Sequence, residues 1–257
     1  MNFPFNIYLL SALAAAAVSI LSLPFWIRLC RAWGLVDDPG HRKVHDRTTP
    51  LAGGLAVMTG FFLPFILGLA ALQYVGGSLT WLQGLDLSGW AGFGVQKRTG
   101  QFLVIGLGAL AMLILGLIDD RWELSPILKF TGQCLIASAV ALAGVRVTLF
   151  VDNAAFSFLV TVLWVLTITN AFNFLDNMNG LCAGIGAIAA WSFAWAAAVQ
   201  GQYLVATVAF AMVGALLGFL PFNFPSASAF LGDAGSHLVG FLVGILAILP
   251  DYYSTET

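Results

Sequence analysis

No charged residue occurs before Arg28, and Ile7–Leu29 forms a predominantly apolar run of 23 residues. That is the length of helix needed to cross a hydrocarbon layer about 30 Å thick. Seven more runs follow: Gly53–Val75, Phe102–Ile118, Ile127–Val145, Phe156–Phe174, Leu181–Val199, Leu204–Leu220 and Ala234–Leu249. Backbone groups in lipid must be satisfied within a segment or by a closed barrel, so apolar runs of this length are read as helices. Only 9% of the residues are charged, against about 25% in soluble domains. The expected architecture is therefore all-α, a polytopic membrane helical bundle of about eight spans forming a single domain over residues 1–257. The first, second and fourth spans are full length, and the third and eighth are short. The uncharged, long first run is expected to be retained as a span and not cleaved as a leader.

Composition also removes some function classes. A net charge of −2 provides no broad basic surface for nucleic acid. Cys30, Cys134 and Cys182 are far apart, with no metal-ligand or disulfide spacing, and read as small apolar residues. Gly180-xxx-Gly184, Gly214-xxx-Gly218 and Gly240-xxx-Gly244 are small-residue patterns suited to close helix packing.

Alternating spans sort the loops onto two sides. The side holding loops 30–52, 119–126, 175–180 and 221–233, with its helix ends, carries seven of the ten Lys and Arg residues. By the positive-inside rule this side is cytoplasmic and the N-terminus lies outside. Eight of the twelve acids fall on the same side. Topology does not require that excess, because acids contribute little to orientation; a shared site accounts for it.

Four polar elements lie on that side. The loop after the first span carries Arg42, Lys43, His45 and Arg47, suited to an anionic ligand at the membrane surface, although a basic loop is also ordinary topology. Asp119-Asp120 follows the third apolar run and suits a Mg²⁺ ligand or a base; a cap at a helix boundary is the plain alternative. In the stretch Asn170–Gly180, Asn170, Asn173, Asp176 and Asn179 recur every three residues. On a helix these form a slowly drifting polar stripe, costly in lipid unless it meets water, an ion or a ligand. Finally, Asp233-Ala-Gly-Ser236 begins the last span, where a carboxylate either caps the helix or holds a metal beside an anion. Oxygen donors without paired His or Cys favour Mg²⁺ or Mn²⁺ over zinc. Basic groups beside hard-metal ligands at a membrane face point to phosphoryl transfer involving a lipid phosphate.

Four stretches carry a family resemblance: Arg42-Lys-Val-His45 with Pro50-Leu-Ala-Gly-Gly54, Leu115-Gly-Leu-Ile-Asp-Asp120, Asn170-xx-Asn-xx-Asp-xx-Asn-Gly-Leu181, and Phe230-Leu-Gly-Asp-Ala-Gly-Ser236. The chain resembles the polyprenyl-phosphate N-acetylhexosamine-1-phosphate transferases, glycosyltransferase family 4. Its Arg-Lys-x-His loop is closer to the GlcNAc-1-phosphate branch than to phospho-MurNAc-pentapeptide translocase. The resemblance implies transfer of N-acetylhexosamine 1-phosphate from a UDP-sugar to undecaprenyl phosphate. The reaction would give a lipid diphosphate sugar and UMP, with Mg²⁺, for cell-envelope polysaccharide synthesis at a bacterial inner membrane. By position, Asp233 would be the principal metal ligand and Asp176 would support the metal or nucleotide site. Asp119 and Asp120 would bind or deprotonate the lipid phosphate, with a covalent Asp intermediate as the mechanistic alternative. Lys129 would hold that phosphate, Phe230 would stack on uracil, and Asn173 and Asn223 would lie near the nucleotide.

Two departures qualify the match. Asn179 stands where relatives often carry a second acid; it can ligate or hydrogen-bond but carries no charge. Relatives normally continue through further spans and a His-rich cytoplasmic loop, so the resemblance implies that this chain, ending at Thr257, is a fragment or a natural truncation. A non-catalytic relative binding lipid or partners is one rival reading. An ion-coupled transporter is another, disfavoured because every motif lies at one end and not at the midplane. The oligomeric state stays open, a homodimer included.

Overall fold

The computed structural model describes residues 4–38, 48–75, 96–147 and 153–250. Eight α-helices occur among them: α1 Phe5–Trp33, α2 Gly53–Val75, α3 Gln96–Trp122, α4 Pro126–Leu142, α5 Ala154–Leu175, α6 Leu181–Val199, α7 Tyr203–Phe219 and α8 Gly232–Ile248. Each matches one apolar run, and the chain is a helical membrane protein. Five of the helices are long and apolar enough to cross a membrane. Several lengths differ from expectation. Helices α1, with 29 residues, and α5, with 22, extend their runs at both ends. The third helix has 27 residues, because residues 96–101 extend it at one end and Asp119–Trp122 at the other, polar sequence that helical backbone accommodates beyond the apolar stretch. The fourth has only 17 residues, since Ala143 closes it and Gly144 turns at φ 96°.

The helices form two groups around α7 and α8. Helix α7 packs against α1, α2 and α6, while α8 packs against α2, α3, α5 and α6. Nearly every residue of these two is buried, which is why both are apolar on all sides. The outer helices turn large apolar side chains outward, as at Leu21, Ile127 and Phe174; in a bilayer that surface meets lipid at little cost. Two of the three glycine patterns pack helices within the chain, whereas Gly184 of the first has nothing within 4 Å. A Cβ on Gly214 would fall 2.0 Å from the Ala12 carbonyl oxygen, and one on Gly240 would fall 2.7 Å from Thr169 Cα.

At one end of the bundle short polar segments tie the helix termini together. Helix α1 closes on Gly34 in the left-handed conformation, with Leu35 N–H donating to the Cys30 carbonyl at 2.8 Å, a Schellman-type stop. The strands β1 (Val36–Asp37) and β2 (Thr49–Pro50) then pair antiparallel. Beyond them, Phe230 N–H donates to the Pro50 carbonyl, while Gly53 and Gly54 N–H donate to the carbonyls of Phe230 and Leu231. The sequence stretches 50–54 and 230–236 therefore form one backbone-paired unit. Arg121 extends this fastening by donating to the Gly34 carbonyl at 3.0 Å.

Candidate active site

Three of the four polar elements meet at this end; the cations of the first, Arg42, Lys43, His45 and Arg47, lie outside the described residues. Helix α3 runs through Asp119 and Asp120 to Trp122, and Glu123 breaks it at φ 47°. The Asp119 carboxylate accepts from Leu124 N–H at 2.8 Å, which shapes the turn into α4. Ser125 caps α4, with Pro126 in its first turn, as that dipeptide predicts. Lys129 thereby projects from the first turn of α4 into the site. Its Nζ lies 2.6 Å from Asp119 Oδ2 and 3.3 Å from Asp233 Oδ2. It also donates to Asn173 Oδ1 at 3.3 Å.

Asp233 stands in the first turn of α8. Asn173 donates through Nδ2 to the Asp233 carboxylate and, at 2.9 Å, to Ser236 Oγ. Two glycines allow α8 to arrive here. A Cβ on Gly116 of α3 would sit 2.4 Å from both Ala234 Cα and the Asp233 carbonyl oxygen, and a Cβ on Gly54 of α2 would sit 2.5 Å from Gly235 N. The glycines of two separate motifs are thus the floor on which the start of α8 rests.

Asp120 is occupied differently from its neighbour. Its Oδ1 accepts from Asp233 N–H at 2.8 Å and its Oδ2 from Ala234 N–H at 3.0 Å. A side chain from α3 therefore caps α8, an arrangement that sequence adjacency cannot disclose. Gly232, at φ 74°, turns the chain tightly beside that carboxylate.

The stripe of Asn and Asp residues is helical only in part. Asn170 and Asn173 lie on α5, Asp176 is its C-cap, and Asn177 to Gly180 form the turn into α6. Burial, the charges of Asp233 and Asp120, and little compensation from the Gly232 amide push the Asp176 carboxyl up to about 8. Asn179 is exposed and donates to the Pro225 carbonyl at 3.2 Å. Asn223 is buried; it accepts from Gly180 N–H at 2.6 Å and donates to the Ala229 carbonyl at 3.1 Å. Both amides fasten the turn to the segment before α8. Phe230 is half-buried in the backbone-paired unit. Arg42, Lys43 and His45 lie outside the described residues.

One turn deeper a second polar layer appears. Asn170 donates to Gln133 Oε1 at 2.6 Å, and Gln133 Nε2 lies 2.9 Å from His237 Nε2. Gln133 and His237 carry no motif of their own. Their signal in the sequence is spacing, Gln133 four residues after Lys129 and His237 four after Asp233, hence on the same helix faces.

The donor set has the chemistry a hard divalent cation requires. Asp119, Asp120, Asp176 and Asp233 supply carboxylate oxygens, Asn173 an amide oxygen, and Lys129 alone offsets their charge among the side chains just described. Among the described residues no three Asp, Glu, His or Cys side chains are already gathered as a metal cage; the oxygens of Asp119, Asp233 and Asn173 converge instead on the Lys129 ammonium. Beside them lies a groove of about 750 Å³, with Asp119, Lys129, Asn173 and Asp233 at its polar part and Ile127, Phe130 and Phe174 among its apolar walls. Those three side chains are more than half exposed, so the groove is open toward the lipid-facing surface. The shape suits an amphiphile; with Asp119, Glu123 and Asp233 around Lys129 the polar part carries more acid than base, so an anionic head would call for a bound cation beside the lysine.

Comparison with known proteins gives a consistent picture. The family model "Glycosyl transferase family 4" matches residues 102–251. A "probable undecaprenyl-phosphate N-acetylglucosaminyl 1-phosphate transferase" of Bacillus subtilis is 30% identical over 252 residues, covering 93% of this chain and 63% of its own length. A decaprenyl-phosphate N-acetylglucosaminephosphotransferase of Mycolicibacterium smegmatis is 35% identical over 239 residues, covering 85% of this chain and 54% of its own. A phospho-N-acetylmuramoyl-pentapeptide-transferase of Geobacillus kaustophilus is 31% identical over 256 residues, covering 93% and 72% respectively. The chain thus spans between about half and two-thirds of the length of the first two relatives.

Proposed function

We propose, from the premise that this chain belongs to glycosyl transferase family 4, that it transfers an N-acetylhexosamine 1-phosphate, of the GlcNAc type as the names of its relatives suggest, from a UDP-sugar to a polyprenyl phosphate such as undecaprenyl phosphate. The observation that carries this reading is the groove. It joins an apolar wall open to lipid to a lysine held among carboxylates and an amide, the recognition chemistry of a lipid bearing a phosphate head. The names of the relatives support a polyprenyl-phosphate acceptor and an N-acetylglucosamine phosphate as the group transferred; the UDP donor is part of the proposal.

In this reading Lys129 receives the lipid phosphate. One of that phosphate's oxygens bonds to the phosphorus bearing the sugar. The bond from that phosphorus to the bridging oxygen breaks, and UMP leaves with that oxygen. Asp119 lies beside Lys129 and keeps the incoming phosphate deprotonated, while Asp120 acts through α8 by holding Asp233 in place. Asp233 and Asp176 would hold Mg²⁺ or Mn²⁺, which when bound offsets the charge of the diphosphate. Asn173 orients Asp233 and contacts the nucleotide side. In this reading the loops that carry most of the Lys and Arg residues in the sequence face the cytoplasm, so the site lies on that face and the N-terminus outside.

The test uses purified chain with UDP-GlcNAc, undecaprenyl phosphate and Mg²⁺, following UMP release. Turnover is expected in the wild type and none in Asp233→Ala. Equal UMP release by both would remove the proposed metal site. Lipid-phosphate binding without any turnover would instead support a binding relative.

A further inference from the structure

The second polar layer lies inside the bundle, away from the groove's charged groups. Gln133 and His237 are both completely buried. Each of its three members shares a helix face with a member of the site above. On α4 Gln133 lies four residues beyond Lys129; on α8 His237 lies four beyond Asp233; on α5 Asn170 lies three before Asn173. Two parallel tiers therefore link the same three helices.

The hydrogen bonds of the lower tier fix its polarity. Asn170 Nδ2 donates to Gln133 Oε1 at 2.6 Å and to the Leu166 carbonyl at 2.8 Å. Gln133 Oε1 is thus the acceptor, and its Nε2, 2.9 Å from His237 Nε2, is the donor. His237 Nε2 must accept, so a neutral ring carries its proton on Nδ1, an assignment that follows from the hydrogen-bond pattern. Buried amides and an imidazole are costly in a membrane interior unless satisfied, and here His237 Nδ1 is buried without a partner among the described residues, whereas an apolar trio would fill the same space with no such cost. A polar chain crossing three helices selects one rotation and register for them.

We propose that Gln133, Asn170 and His237 are positioning residues for the transfer reaction, holding α4, α5 and α8 in the register that brings Lys129 and Asn173 onto Asp233. This inference rests on the transferase reading of the site above. Gln133 and His237, both fully buried, touch no substrate and act through the tier one turn away, while Asn170 also borders the groove. His237 matters as an acceptor, so a residue with an acceptor in the same place serves as well.

The experiment compares wild type with His237→Phe, His237→Gln, Gln133→Leu and the double variant Gln133→Leu/His237→Phe, in the full chain. Steady-state kinetics with UDP-GlcNAc and undecaprenyl phosphate are run beside hydrogen–deuterium exchange of the 230–237 peptide without substrates. Misplaced reacting groups lower turnover more than binding, so His237→Phe should lower kcat by about tenfold or more with both KM values within about threefold. His237→Gln should recover most of the rate. The double variant should be no worse than either single one, as expected for one unit. Exchange at 230–237 should rise in His237→Phe and return toward wild type in His237→Gln. Unchanged kcat and exchange in His237→Phe would overturn the proposal, and so would an equal loss in His237→Phe and His237→Gln. If His237→Phe fails to fold, Gln133→Leu carries the same comparison. A wild type without UMP release counts against the transferase reading alone; the exchange arm still decides whether the layer orders the start of α8.

Discussion

Removing the Asp120 carboxylate tests how the site is built. Asp120→Ala leaves the amides of Asp233 and Ala234, now capped at 2.8 and 3.0 Å, without their acceptor. Loss of a helix N-cap costs about 0.5–2 kcal/mol, and hydrogen bonds to a charged group lie at about 1.5–3 kcal/mol each. Water reaching the membrane face recovers part of this. Relief of repulsion between Asp120 and the nearby charge of Asp233 offsets more. A net destabilisation of about 2 kcal/mol is expected, and for a chain of this size it lowers Tm by about 4–8 °C. Asp120→Asn keeps one acceptor and should fall between. The assay is thermal unfolding in detergent, with hydrogen exchange over residues 232–236 as the local readout. UMP release should fall in both variants, because Asp233 loses its anchorage. An Asp120→Ala protein with wild-type Tm and unchanged exchange, yet no activity, would refute the capping argument and return Asp120 to direct chemistry.

The Asp176 carboxyl, raised to about 8 from 3.8, binds its proton more tightly folded than unfolded. Stability should therefore fall as pH rises between about 4 and about 8, since the folded state holds more protons across that window; thermal melts of Asp176→Asn should show a flatter pH dependence. Mn²⁺ affinity, followed by calorimetry, should rise with pH toward about 8 with release of a proton, and pH-independent binding would exclude Asp176 as a ligand. Gly116→Ala, whose Cβ would meet Ala234 and Asp233 at 2.4 Å, should cost about 1–3 kcal/mol in unfolding experiments and most of the activity. Gly184→Ala, with nothing within 4 Å, should be neutral or stabilise α6 by about 0.5–1 kcal/mol. Lys129→Gln should raise KM for the lipid phosphate by about tenfold or more, the loss of one charge-assisted contact, while leaving KM for the UDP-sugar nearer to wild type.

The helices were legible because the bilayer leaves so few solutions: an apolar run near the required length is a helix, and α2 and α6 have the expected ends. Their termini were less so. Asp119 and Asp120 read as residues after a span, whereas hydrogen bonding continues through both, since charge at a helix end near water does not stop it. That the polar stretches around Asp119, Asp176 and Asp233 share one end followed from counting spans. Their connections did not. The pairing of Gly53 and Gly54 with Phe230 and Leu231 uses backbone atoms, which carry no residue signature. The layer of Gln133, Asn170 and His237 was hidden in another way: Asn170 stood out as part of the polar stripe, but Gln133 and His237 belong to no shared pattern and only three-dimensional packing unites the three.

Asp120 also changes what the start of α8 can do. An exposed helix N-terminus binds anions through its free amides and its dipole, and the sequence around Asp233 invites that reading. Here the first amides already have an anion, supplied by the chain itself. The phosphate of a substrate must then find its positive charge elsewhere. Within the described part of the site that charge is Lys129, which bridges Asp119 and Asp233 across two helices. The adjacent pair Asp119-Asp120 thus divides its labour by direction. Successive residues on a helix point about 100° apart, so one carboxylate turns to the lysine and the groove while the other turns to the backbone of α8. A single acid at either position could do only one of these, which gives a physical reason for two acids side by side at the end of a membrane helix.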